Sequence, residues 1–119
     1  MEYLYCYQNQ LSALDVSANS QLKDIFCYGN AIEELNLSSN SSLYRLFASD
    51  NVLTNLDLSH NPSITLLFCD FNQINTLDLS QNVALSTLDV SGNELMTSVQ
   101  LPGTLQSILN NAFRQCPST

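Results

Sequence analysis

Apolar residues return along this chain at a fixed interval, and in lines of 21 the columns align. "LYCYQNQLSALDVSAN" from Leu4 recurs as "IFCYGNAIEELNLSSN" from Ile25, "LFASDNVLTNLDLSHN" from Leu46 and "LFCDFNQINTLDLSQN" from Leu67. In a segment spelled L-x-C, the first and third side chains share one face of a short strand and the middle one points away. Leu4, Ile25, Leu46, Leu67 and Leu88 are therefore expected to form one inward column, and Cys6, Cys27, Ala48, Cys69 and Val90 the next. One such turn cannot bury its own apolar face. Successive turns must stack, pairing their strands in parallel about 4.8 Å apart.

A second spelling is nested in the first. L-x-L-x-x-N occurs twice per unit, the second time at Leu14, Leu35, Leu56 and Leu77 with Asn19, Asn40, Asn61 and Asn82. Half-units this short leave no room for a full helix. The expected fold is a thin, β-rich, right-handed solenoid, with a parallel sheet on one side and extended or short strand segments on the other. Its period falls within the leucine-rich-repeat range. Two asparagine columns, Asn9, Asn30, Asn51, Asn72, Asn93 and Asn19, Asn40, Asn61, Asn82, are expected to turn inward and satisfy backbone groups of their own and neighbouring coils.

The register slips near the end. "LDVSGN" at Leu88 to Asn93 carries second-half spelling in a first-half position, and Val99 and Leu101 are displaced by one residue. We read residues 1–119 as one repeat domain, with about four and a half coils over 1–98 and a closing segment over 99–119. In that segment Leu105, Ile108, Leu109 and Ala112 have helical spacing, with Thr104 as N-cap. At the other end Leu4, Cys6 and Leu11 are expected to lack a covering coil. Either the chain belongs to a longer repeat protein or a partner, such as a second copy, covers that end.

Composition narrows the function. Three basic residues stand against eleven acidic, a net charge of -8, so a groove that tracks nucleic-acid phosphates has almost nothing to be built from. No apolar run is long enough to span a membrane, and the first residues lack the pattern of a secretory signal. Neither nucleic acid nor membrane insertion is expected, and the sequence carries no visible cellular address.

In its 21-residue period, its cysteine at the sixth place and its "LDVS" or "LDLS" second half, the chain resembles the cysteine-ladder leucine-rich repeats of bacterial internalin-like surface proteins. The match runs over roughly residues 1–93. The resemblance implies a curved parallel sheet on a concave face, an extracellular or cell-surface location and recognition of molecules on other cells. No signal peptide, N-terminal cap or wall-anchoring motif is present in the sequence, and Ala48 and Val90 stand where the ladder asks for cysteine.

The cysteines are the first candidates for chemistry. Cys6, Cys27 and Cys69 share a column with Ala48 and Val90, so the position asks for a small apolar side chain, and free cysteine is one. Zinc needs convergent ligands, whereas this column presents parallel ones. Parallel Cβ vectors also fit a disulfide poorly. These three are expected to be structural core thiols that react slowly; Cys116 in the tail is expected to be accessible. Asp15, Asn36, Asp57 and Asp78, each with a serine two places on, suggest either a calcium ladder or a solvated face. Calcium wants six to eight converging oxygens, and residues on the outside of a sheet diverge. His60 is the only histidine and falls in a turn, so no catalytic triad can be assembled. The expectation is a protein that is not an enzyme and carries no cofactor or metal.

The aromatics carry more information. Tyr5, Phe26, Phe47 and Phe68 hold the middle of the first-half strand; Tyr7, Tyr28, Ser49 and Asp70 follow the cysteine column, and Phe71 comes next in its coil. These positions point out of the sheet. They can stabilise the sheet by cross-strand packing, or form a binding platform, since contiguous exposed apolar surface marks interfaces and aromatics dominate their hot spots. We favour the platform: a recognition module that binds a protein through Tyr5, Tyr7, Phe26, Tyr28, Phe47 and Phe68, with Asp50, Asp70 and Phe71 setting specificity. Asp24, Asp50, Asp70 and Asp89 are expected to make the same face acidic. The alternatives are a structural, self-associating homodimer formed through the aromatic strip or the first coil, and a glycan-binding surface.

Overall fold

The computed structural model describes residues 1–104 of the chain. Seven three-residue strands run through it: β1 (Tyr3–Tyr5), β2 (Asp24–Phe26), β3 (Arg45–Phe47), β4 (Leu66–Phe68), β5 (Thr76–Asp78), β6 (Thr87–Asp89) and β7 (Ser98–Gln100). β1, β2, β3, β4 and β6 form one parallel sheet in that order, and β5 pairs in parallel with β7 in a second. Leu4, Ile25, Leu46, Leu67 and Leu88 lie side by side in register, as the alternation requires. The parallel ladder continues past each strand: Cys27 N–H donates to Phe47 O at 2.9 Å, and Gly29 N–H to Ser49 O at 3.0 Å. The described residues therefore form a leucine-rich-repeat solenoid of stacked coils, with no helix among them.

The core is the inside of the stack. Ile25, Cys27, Leu46, Ala48, Leu67, Cys69 and Val90 are fully buried, and Leu4, Cys6, Leu11 and Leu14 of the first coil pack against them partly buried. Opposite the five-stranded sheet, the second-half segments at 14–16, 35–37 and 56–58 turn their apolar pairs inward without forming strands, Leu14 partly buried and Val16, Leu35, Leu37, Leu56 and Leu58 buried. The register slip is real: Leu77 pairs with Val99, one residue beyond the usual period.

The two asparagine columns behave differently. Asn51 Nδ2 donates to the carbonyls of Cys27 and Ala48 at 3.1 and 3.2 Å, and its Oδ1 accepts from Ile32 N–H at 3.0 Å. Asn30, Asn72 and Asn93 repeat this scheme. In the second column Asn61 Nδ2 donates to Leu37 and Asn40 carbonyls at 3.1 and 2.9 Å. Its buried Oδ1 accepts no hydrogen bond, and neither do those of Asn40 and Asn82.

The expected helix over Leu105, Ile108, Leu109 and Ala112 lies outside the described residues, as does Cys116. Thr104, expected as its N-cap, donates its hydroxyl to Val83 O at 2.8 Å.

Candidate functional site

The outward side of the five-stranded sheet is a grid of three positions per coil. The middle position forms a ring ladder. Tyr5 stacks on Phe26 with centroids 4.8 Å apart, and Phe26 on Phe47 at 4.3 Å and 11°. Phe68 meets Phe47 at 5.5 Å and 89°, the edge-to-face geometry that sets a positive ring edge against a negative face. The faces of Phe68 are therefore turned out of the stack. In register beside it comes Asp89, where the ladder ends. A shorter ladder runs alongside, Tyr7 on Tyr28 at 4.8 Å and 10°. Exposure falls along the axis: Tyr5 is 62% exposed, while Phe26, Phe47 and Phe68 are half-buried by their neighbours.

The position after this grid leaves the strand through the left-handed region in every coil. Gln8, Gly29, Asp50, Phe71 and Gly92 have φ of 55°, 71°, 55°, 55° and 72°. Two glycines in that column were the signal in the sequence, since only glycine adopts this conformation freely. Phe71 pays about 1–2 kcal/mol for it. Its ring lies over Gly92, so closely that a Cβ there would stand 2.4 Å from Phe71 Cδ1. Phe71 remains exposed on its other side.

Aspartates occupy the grid's far end. Asp70 is half-buried and accepts a hydrogen bond from the Ser49 hydroxyl in the neighbouring coil. Burial pushes its carboxyl above the ordinary range, the Ser49 bond opposes this, and the nearby Asp89 and Asp50 carboxylates add to the upward shift. Asp89 turns its Oδ1 onto Ser91 N–H and hydroxyl at 3.0 and 2.7 Å. One expected member does not belong. Asp24 is 2% exposed and is held by Arg45, Nε at 3.1 Å from Oδ1 and Nη2 at 2.6 Å from Oδ2. A buried carboxylate requires such a partner. The acidic character of this face thus rests on Asp50, Asp70 and Asp89.

The cysteine column faces the core. Cys27 is fully buried, and burial pushes its thiol up to about 12, with the Cys6 thiol adding to the shift. Burial also raises Cys6, which is half-exposed in the first coil. Cys69 is fully buried. Among the described residues no group of three His, Cys, Asp or Glu side chains is placed to hold a metal ion. The aspartates opposite the sheet are turn formers: Asp15, Asp57 and Asp78 each accept from the N–H of the serine two residues on. Asn36 does the same for Ser38, so the column selects an Oδ1 acceptor, not a charge. His60 Nδ1 lies 3.3 Å from its neighbour Ser59 Oγ.

Sequence reasoning missed two residues. Tyr3 and Tyr44, each half-exposed, flank the Asp24–Arg45 pair at the edge where strands begin. Their columns also hold Asp24, Lys23 and Thr65, so no aromatic pattern marked them.

Comparison with solved structures places these coils. Over 98% of this chain the fold superposes on the functional domain of InlJ from Listeria monocytogenes, which includes a cysteine ladder, with a TM-score of 0.75 and 27% identity. The LRIM1/APL1C complex gives a TM-score of 0.75 at 26% identity over 89% of the chain. The leucine-rich-repeat domain of APL1B gives 0.70 at 23% over 89%. The chain spans 28%, 20% and 33% of those three chains. No protein-family model matches the sequence, and no curated protein does. No helix among the described residues is long and apolar enough to cross a membrane.

Proposed function

We propose that this leucine-rich-repeat solenoid is a non-catalytic recognition module, which binds a protein partner through the outward face of its five-stranded sheet. The observation that carries the reading is the continuity of the ring ladder from Tyr5 to Phe68 across four coils, open to solvent along its outer side. A core has no need of it, because the inward columns are already complete. Tyr7 and Tyr28 widen the platform, and Phe71 extends it onto the turn.

Charge sets the chemistry of the partner. Asp50, Asp70 and Asp89 gather at one end of the ladder, and the two basic residues described, Lys23 and Arg45, are paired elsewhere. A partner fits when its Lys or Arg side chains meet these carboxylates and the outward faces of Phe68 and Phe71. Such an association weakens as salt rises.

The test is a paired substitution. Phe47→Ser with Phe68→Ser is expected to leave circular dichroism unchanged and to lower affinity for a protein captured by the native chain at least about a hundredfold, as loss of two central anchors does. Unchanged affinity in the folded double variant rejects the platform.

A further inference from the structure

At the edge where the strands begin lies a shallow groove that the aromatic platform does not use. Tyr3 and Tyr44, each 50% exposed, stand on its sides. Its floor is the Asp24–Arg45 pair, and the hydroxyls of Ser41, Ser42 and Ser63 line its rim. Asp24 lies too deep to reach a ligand, with its side chain 3% exposed; it holds the guanidinium of Arg45 flat and fixed. Arg45 is 44% exposed and has five N–H donors, of which Asp24 engages those on Nε and Nη2. The groove therefore offers a rigid donor fork, hydroxyls that both donate and accept, and two ring faces.

Its charge decides among ligands. Arg45 is offset by Asp24, and Lys23 is offset by Glu2 at 3.0 Å. The groove is locally neutral in a chain of net charge -8. An anion gains no unpaired cation here and meets a repulsive field, and a cation finds no unpaired carboxylate. The fitting class is uncharged, rich in hydroxyl and ether oxygens, and flat and apolar on one face. A pyranose ring has all three properties.

We infer that this groove binds a neutral oligosaccharide, with Tyr3 and Tyr44 stacking on sugar faces and Arg45, fixed by Asp24, donating to hydroxyl or ring oxygens. The site stands apart from the protein platform. Either can fail without the other.

Saturation-transfer NMR on the full chain tests it, with neutral gluco-, manno- and N-acetylglucosamine oligosaccharides as probes and a heparin oligosaccharide as the anionic control. Transfer to at least one neutral probe is expected, with affinity roughly tenfold weaker in Tyr44→Ala, the loss of one ring contact. Tyr44→Phe keeps the ring and is expected to keep binding, which separates a lost contact from a lost fold. Phe47→Ser with Phe68→Ser is expected to leave sugar binding intact. The inference is overturned if no neutral probe receives transfer, if heparin alone binds, or if binding persists unchanged in Tyr3→Ala with Tyr44→Ala.

Discussion

The two sides of each coil share one interior and differ outside. Both carry a pair of apolar residues facing in and an asparagine whose Nδ2 bonds back to carbonyls, of its own and the preceding coil on the sheet side and of the preceding coil on the other. On the sheet side the residue between the inward pair is Tyr or Phe in the first four coils, and rings stack from coil to coil. On the opposite side it is Asp or Asn, whose Oδ1 captures the serine N–H two residues on and bends the chain into a turn. No strands form at 14–16, 35–37 and 56–58, yet the same bond follows strand β5 at Asp78 and β6 at Asp89, so it sets the turn without excluding a strand before it. Inward residues thus build the solenoid; outward ones decide whether stacked rings or turn-forming Asp and Asn side chains line its surface.

The largest way to test that comparison is through the asparagines. Asn51→Leu leaves Ile32 N–H and the carbonyls of Cys27 and Ala48 without their buried partner, and is expected to cost roughly 3 kcal/mol or more. Asn61→Leu strands two carbonyls and also removes an acceptor that had no partner, so its cost is expected to be about 1–2 kcal/mol smaller. Urea midpoints measure both. Equal losses would show that the two columns are energetically alike.

That difference was invisible in the sequence, where both columns read simply as asparagine. The solenoid, its inward columns and the slipped register at Val99 were legible because alternation and period are written residue by residue. Pairings across the sheet were less legible. Asp24 looked like a surface carboxylate, since nothing in the string shows that Arg45, one coil on, lies beside it. The turn of Phe68 out of the stack and the seating of Phe71 on Gly92 depend on rotamers that spacing does not encode.

A second expected effect comes from Cys27. Its thiol is raised from 9.0 to about 12 in the folded chain. The native state keeps its proton while the unfolded chain loses it, so stability is full below pH 9 and falls as pH rises toward 12, by about 1.4 kcal/mol per pH unit at most. Cys27→Ala is expected to flatten that part of the urea-midpoint profile. A profile as steep as in the native chain would show that the decline comes from other groups.

The smallest effect sets the two sides against each other at low pH. Asp57 is held below the usual carboxylate range by its bonds from Ser59, so its contribution is present above the ordinary carboxylate value and is lost as pH falls through its own. Asp70, raised by burial, has the opposite sign: its ionisation lowers stability as pH climbs from the ordinary value through the raised one. At neutral pH, Asp70→Asn is expected to raise the thermal midpoint slightly. Asp57→Asn, which copies Asn36, is expected to shift stability by no more than about 0.5 kcal/mol. A fall in midpoint for Asp70→Asn would contradict the assignment of its shift to burial.

The central claim is that one side of the solenoid receives a protein. Its most direct test is photo-cross-linking, with p-benzoylphenylalanine placed at position 47 in the ring ladder or at position 81 on the opposite side, in chains of matched thermal stability. The account expects a cross-linked partner from position 47 and none from position 81. Adducts from position 81 alone, or in equal yield from both, would contradict it.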